Sequence, residues 1–362
     1  MELARANAMK IIMALTIVAV SLCLLIIPIS VEPDRSQDIK LFEAYVTEYK
    51  KPYKFNRTEY ERRFERFQRS LRKIDALNGL RMSEHSARYG VTEYSDMTEQ
   101  EFLALNLHPD LPAHSERHHQ CHYHHIHSAK RSRRASLILP MKHDWREKGV
   151  VTAIKSQGNC GACWAFSVVE VAESMFAISN KTLSALSIQE MIDCAGNNNF
   201  GCEGGDICSL LEWLVISKTR ILPEANYPLT RITNVCKLQK KNVESQVGIQ
   251  VSDFTCDNFV NAEEELLKEL VTKGPVAAAV NALSWQNYLG GIIQFHCDGS
   301  FANLNHAVQI VGYDKTAEIP YYIVRNSWGS SFGDKGYLYI AIGNNLCGNN
   351  FIYITSSYIY LM

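Results

Sequence analysis

The stretch Gln157-Gly158-Asn159-Cys160-Gly161-Ala162-Cys163-Trp164 decides how this chain reads. Its second cysteine opens a run (Trp164, Ala165, Val168, Val169, Ala172, Met175, Phe176) with the three- and four-residue steps of a helix. A thiol on the first turn of such a helix faces unpaired backbone N–H groups and the positive end of the helix dipole. Both favour thiolate, the attacking form of cysteine. Just upstream, Gln157 offers a side-chain amide donor that, with the backbone N–H of Cys163, can hold the oxyanion of a tetrahedral intermediate. A redox dithiol would open a βαβ unit, which the downstream region does not resemble, and a zinc site would need a second ligand pair that the globular part lacks. A structural disulfide accounts for Cys160 and leaves Cys163 unexplained.

A base for this thiol must come from far along the chain. The globular part contains only His143, His296 and His306. His306, in Asn305-His306-Ala307-Val308, enters an apolar strand, where a lone histidine is ordinarily a satisfied core residue. What overturns that reading is Arg325-Asn326-Ser327-Trp328-Gly329 downstream. An Asn amide oxygen can accept from the imidazole and hold its orientation, and a neighbouring Trp can screen that bond from water. Cys163, His306 and Asn326 thus read as nucleophile, base and orienter.

The bulk properties agree. Lys plus Arg (37) nearly balances Asp plus Glu (38) in 362 residues, so no net field draws the chain to nucleic acid or an anionic membrane. Eleven cysteines, crowded after residue 160, point to an oxidising compartment. Arg5 and Lys10 precede an apolar run from Ile11 to Ile29, the order of a secretory signal over residues 1–30; a retained signal anchor competes, because the run is long. From Asp38 to Gly79 the chain is charged and helical in period, and Pro52 argues against a coiled coil. A linker by composition follows, with seven histidines (114, 118, 119, 122, 124, 125, 127) and then Lys130-Arg131-Ser132-Arg133-Arg134. Short β-rich runs, Ala307 to Tyr313, Tyr321 to Arg325 and Gly336 to Ile342, dominate the C-terminal end.

With these motifs the chain resembles the papain-like cysteine proteases over nearly its whole length after the leader. Glu59, Arg63, Phe67, Ile74 and Asn78 fall at the steps of the family's propeptide pattern, with Ser70 where Asn is expected. Gly90-Val91-Thr92-Glu93-Tyr94-Ser95-Asp96 is similar to a second propeptide motif, Thr92 and Tyr94 replacing Asn and Phe. Leu139-Pro140 leading to Asp144-Trp145-Arg146 looks like the mature start, Gly201-Cys202-Glu203-Gly204-Gly205 like the cleft wall, and Phe332 replaces the usual Trp. The resemblance implies an α+β fold with a helical left domain and a β-barrel-like right domain, preceded by a helical inhibitory propeptide. The expected boundaries are 1–30 for the signal, 31–107 for the propeptide, 108–138 for the linker and 139–362 for the mature protease.

The same resemblance implies a thiol peptidase made as a zymogen and working through an acyl-enzyme, with Cys163 and His306 charged over an acidic-to-neutral range. It implies disulfides Cys160–Cys202, Cys194–Cys236 and Cys297–Cys347, leaving Cys208 and Cys256 to pair with each other or stay free. Substrate contacts fall on Gly204, Gly205 and Trp328, and the selectivity pocket on Ile207, Ala279, Leu304, Ala307 and Ile352, with Asp206 at its rim to admit a basic group. No metal or cofactor is expected. Expected partners are protein and peptide substrates, the chain's own propeptide, cystatin-type inhibitors and an activating protease; the protein is expected to be a monomer of the lysosome or extracellular space. Arg131, Arg133 and Arg134 form an Arg-x-Arg-Arg processing site, and Asn56 and Asn180 begin glycosylation sequons. The histidines of the linker gain charge near pH 6, but the simplest reading assigns them no role. The alternative from another class is a catalytically silent relative that binds peptides or proteases.

Overall fold

Pro52 presets the backbone for a single 3-10 turn, Pro52–Phe55, between α1 (Arg35–Glu48) and α2 (Arg57–Gly79). The computed structural model describes residue 13 and residues 35–107, 138–238, 247–348, 351–354 and 359–360. The expected signal sequence, the histidine-rich linker and the Arg131–Arg134 motif lie outside the described residues. Among those residues, no helix is long and apolar enough to cross a membrane.

The chain divides into two compact units, 1–64 and 65–362. In the first, the ring of Phe42 is fully buried among Tyr45, Tyr53, Tyr60 and Phe64. This aromatic cluster gives the amphipathic period of the segment something to pack on. Glu59 pairs there with Arg62 and Arg63, and the Arg63 hydrogen bond holds its carboxyl below the usual range.

The second unit begins within α2 and continues through β1 (Arg88–Tyr89) and α3 (Glu99–Asn106). A capping box starts α3: the Thr98 hydroxyl accepts from the Glu101 N–H, and the Glu101 carboxylate accepts from the Thr98 N–H. Arg66 binds Glu101 at 2.6 Å and Lys73 binds Glu99 at 2.5 Å, fastening α3 to the later turns of α2.

Beyond the linker come β2 (Lys142–Asp144) and α4 (Cys163–Asn180), which is buried from Cys163 to Ala177. A helix buried on all sides, Glu170 and Glu173 included, is a core element. Lys181, in the left-handed region at φ 60°, ends it. α5 (Ile188–Cys194) and α6 (Ile207–Ser217) pack around α4 and are capped by Ser187 and Asp206. Then follow β3 (Arg220–Ile221), β4 (Ile249–Val251), β5 (Thr255–Asn258), α7 (Glu263–Thr272), β6 (Val276–Val280), β7 (Tyr288–Gly290), β8 (Ile292–Ile293), β9 (His306–Asp314), β10 (Tyr321–Arg325), β11 (Tyr337–Ala341), β12 (Phe351–Ile354) and β13 (Ile359–Tyr360).

Eight strands form one sheet in the order β5-β12-β6-β9-β10-β11-β8, with β2 also paired to β9. The path is open among the described residues, so the expected barrel-like half is an open sheet and not a closed barrel. β9 is buried at all nine positions, which is why its sequence is a run with no in-out alternation. A helical core around α4 and a sheet core around β9 lie side by side in this unit.

The structure pairs Cys160 with Cys202, Cys194 with Cys236, and Cys297 with Cys347. It also settles the two cysteines left open: Cys208 on α6 is bonded to Cys256 on β5, Cα atoms 6.2 Å apart. That bond staples the helical core to the sheet. Replacing both Cys208 and Cys256 by Ala is expected to lower stability by about 3 kcal/mol, read as the fall in unfolding free energy extrapolated from urea titrations with the slope fitted separately for each protein.

Candidate active site

Cys163 is the first residue of α4, and the turn before it is tightly held. Cys160 is bonded to Cys202, and the Gly161 N–H donates to the Cys202 carbonyl at 2.9 Å. The indole of Trp164 donates to the Gly201 carbonyl, and a Cβ on Gly205 would lie 2.6 Å from the Trp164 ring. The 201–205 wall is therefore glycine-rich because it lies directly on the first turn of α4. Among the described residues Cys163 is the one free cysteine. Burial pushes its thiol up to about 11, against the backbone N–H groups of Ala307, Trp164 and Cys163 itself, which favour thiolate. The Ala307 amide beside the sulfur places the thiol next to the first residue of β9.

That residue is His306. β9 and β10 run antiparallel with Arg325 opposite Gln309, which carries Asn326, just past the end of β10, to the imidazole. His306 Nε2 and Asn326 Oδ1 are 2.8 Å apart, while Nδ1 is buried with no partner among the described residues. The ring lies 4.9 Å from that of Trp328 and 6.0 Å from that of Trp285, centroid to centroid. Burial lowers the pKa of His306 to about 4, the Asn326 bond opposing the shift. Burial thus disfavours both thiolate and imidazolium in this covered state.

Gln157 is fully buried and its amide is fixed at both ends. Oε1 accepts from Ser327 Oγ at 2.5 Å; Nε2 donates to the carbonyls of Cys160 at 3.0 Å and Asn106 at 3.2 Å. Asn106 ends α3, so a carbonyl from the N-terminal region sits on the amide proposed for the oxyanion. Phe102 of the same helix meets Trp328 edge-on at 5.4 Å, with Tyr94 at 6.0 Å.

What the sequence did not reveal is the dock for this segment. β1 pairs antiparallel with β7; Thr92 Oγ1 donates to the Gln286 carbonyl at 2.6 Å. Gln286 Nε2 donates to the carbonyl of Tyr94 at 2.8 Å, and Asn287 Nδ2 to Ser95 Oγ at 2.8 Å. A Gln-Asn pair beside a buried Trp was the available signal, since buried amides need partners.

Among the expected pocket residues, Ile207, Ala279, Leu304 and Ala307 share one core cluster. Gly204 and Gly205 are buried beside them. All four side chains are buried. Ile352 lies on β12 opposite Ala278. Asp206 is not a rim carboxylate: it is 1% exposed, and its Oδ1 accepts from the Ser209 N–H at 2.8 Å as the N-cap of α6. After two glycines a carboxylate looked available to substrate, but the helix that follows takes it first. Asn56 and Asn180 are both exposed.

Residues 139–359 match the papain family cysteine protease domain. The chain belongs to the papain family of cysteine proteases. Residues 42–102 match the cathepsin propeptide inhibitor domain, so this papain-family protease carries its inhibitory propeptide and is a zymogen. It is 40% identical to human (Homo sapiens) cathepsin O over 292 residues, covering 80% of this chain and 85% of that protein. It is 37% identical to cysteine proteinase A of Leishmania mexicana over 79% of this chain and 76% of that one. Among solved structures, a recombinant stem bromelain precursor superimposes with TM-score 0.69 at 28% identity, over 90% of this chain and 99% of that one. Procathepsin L2 of Tenebrio molitor larval midgut gives 0.71 at 30%, over 88% and 99%. In this family setting the segment from Arg88 to Phe102 is propeptide, and its placement on Trp328 is that of an inhibitor.

Proposed function

We propose that the mature papain-family enzyme hydrolyses peptide bonds with Cys163 as nucleophile, His306 as acid and base, Asn326 as the orienter of His306, and Gln157 as oxyanion donor. Release of the propeptide readmits water and reduces the burial that disfavours thiolate and imidazolium. The proton of Cys163 then passes to His306 Nδ1, and each charge stabilises the other. The thiolate attacks the carbonyl carbon, the oxyanion takes the place of the Asn106 carbonyl on Gln157, and the imidazolium gives its proton to the leaving amine. Water, deprotonated by His306, then cleaves the thioester and restores the thiol.

The observation that carries this reading is the 2.8 Å bond from His306 Nε2 to Asn326, which leaves the unpaired Nδ1 on a ring that begins the strand beside the Cys163 thiol. The disulfides and cysteine-rich composition support an oxidising site of action, lysosomal or extracellular. Cleavage at Arg131-Ser132-Arg133-Arg134 by a separate protease would supply activation, and cystatin-type proteins would inhibit the resulting monomer.

The test is titration of the processed chain with an epoxide that alkylates thiolates, followed by peptide mapping. One equivalent bound at Cys163, absent in Cys163→Ser, is the expected result. A folded, processed chain that takes up no label would instead be a silent peptide-binding relative.

A further inference from the structure

Arg231 is an exposed residue whose backbone sits in the left-handed region at φ 63°. A non-glycine residue holds that conformation only where its surroundings impose it. Here the surroundings are one buried side chain. Gln189, 1% exposed, accepts from the N–H groups of Thr230 at 2.8 Å and Arg231 at 3.0 Å through Oε1. Its Nε2 donates to Asp193 and to the Ile232 carbonyl, so the loop is wrapped around a fixed amide.

The side chain is fixed as well. Arg231 Nε donates to the carbonyl of Ser156 at 2.7 Å, and its Cδ lies where a Cβ on Gly158 would be 3.2 Å away. A side chain at residue 158 would crowd the Arg231 stem. Among the described residues no carboxylate pairs with this guanidinium, and nothing accepts from Nη1 or Nη2. A cation held by its stem, with the bidentate end of the fork open to solvent, matches a carboxylate.

Its position gives the side of the cleft. Ser156 precedes the oxyanion donor Gln157 and bridges to Trp328, whose ring lies tilted against His306 at 4.9 Å. His306 delivers its proton to the leaving amine, so Trp328 and Ser156 flank the part of the substrate that follows the cut. We propose that Arg231 is a specificity-determining residue that binds an Asp or Glu side chain, or a terminal carboxylate, among the first residues after the scissile bond. This inference rests on the catalytic reading above.

The processed enzyme would be given quenched peptides that differ only after the cut, with Glu, Gln or Lys at each of the first three positions. A short substrate with no residue after the cut serves as the reference, each variant's rates being divided by its own rate on it. At one position Glu should exceed Gln in kcat/KM by about three- to fivefold, the preference shrinking with added salt. Arg231→Ala should remove it and Arg231→Glu should reverse it in favour of Lys. Equal Glu and Gln rates, or a preference that survives Arg231→Ala, would overturn the inference while leaving the peptidase reading intact. Failure of the wild-type enzyme on the short substrate would instead overturn the peptidase reading, and this inference with it.

Discussion

Gln157→Ala is expected to lower kcat about 10²- to 10³-fold with little change in KM, the effect of removing one oxyanion donor. The donor matters because its geometry is prepared before substrate arrives. Ser327 Oγ holds Gln157 Oε1 at 2.5 Å, and the Gln157 N–H donates to the Ser327 carbonyl at 2.8 Å. The Nε2 end is therefore aimed before substrate arrives, at a position now filled by the Asn106 carbonyl. A ground-state carbonyl accepts weakly there and a developing oxyanion strongly, so the loss falls on the transition state. Steady-state kinetics of processed wild type and variant, normalised by epoxide titration, check it. An equal rise in KM with kcat preserved would mean that Gln157 only binds substrate.

The second large effect is on stability against pH. Glu190 is fully buried, accepts one N–H bond from Leu222 and has no cationic partner. Burial pushes its carboxyl up to about 8, the Leu222 bond opposing the shift. Glu170 is raised in the same sense by burial, which outweighs the attraction of Arg325 at 3.2 Å. A folded-state pKa above the unfolded value means that the folded protein keeps a proton the unfolded chain has lost. The stabilisation is complete below about pH 4.5 and declines as pH rises to about 8, by on the order of 5 kcal/mol for Glu190. The processed enzyme should unfold at distinctly lower urea at pH 8 than at pH 5, and Glu190→Gln should flatten that difference. A variant with the wild-type slope would remove Glu190 as its source.

Some of this was open to sequence reading, and the reasons differ by residue. The start of α4 was readable because Trp164, Ala165, Val168, Val169, Ala172, Met175 and Phe176 recur at helical steps, and β9 because a strand buried on both faces reads as a mostly apolar run without alternation. Cys163, His306, Gln157 and Asn326 could be named by residue type and order alone. The 2.8 Å bond and the burial of the thiol and imidazole depend on which surfaces cover them, and that information is not local. The Cys208–Cys256 bond was undecidable because pairing follows Cα separation, which exists only after α6 and β5 are packed. Asp206 misled because a cap and a substrate-facing carboxylate look alike in a linear string. The Gln286-Asn287 dock was hidden because its partners lie near residues 90–97, far back along the chain.

The staple between α6 and β5 also determines what a nick would do. Two of the bonds, Cys160–Cys202 and Cys194–Cys236, close before residue 237, and Cys297–Cys347 lies wholly after residue 256. A single hydrolysis anywhere between residues 237 and 255 would therefore leave Cys208–Cys256 as the one covalent tie among the described cysteines between a heavy fragment bearing Cys163 and a light fragment bearing His306 and Asn326. Cys163 and His306 would then be on separate polypeptides, joined by a sulfur–sulfur bond and sorted apart only by a reductant.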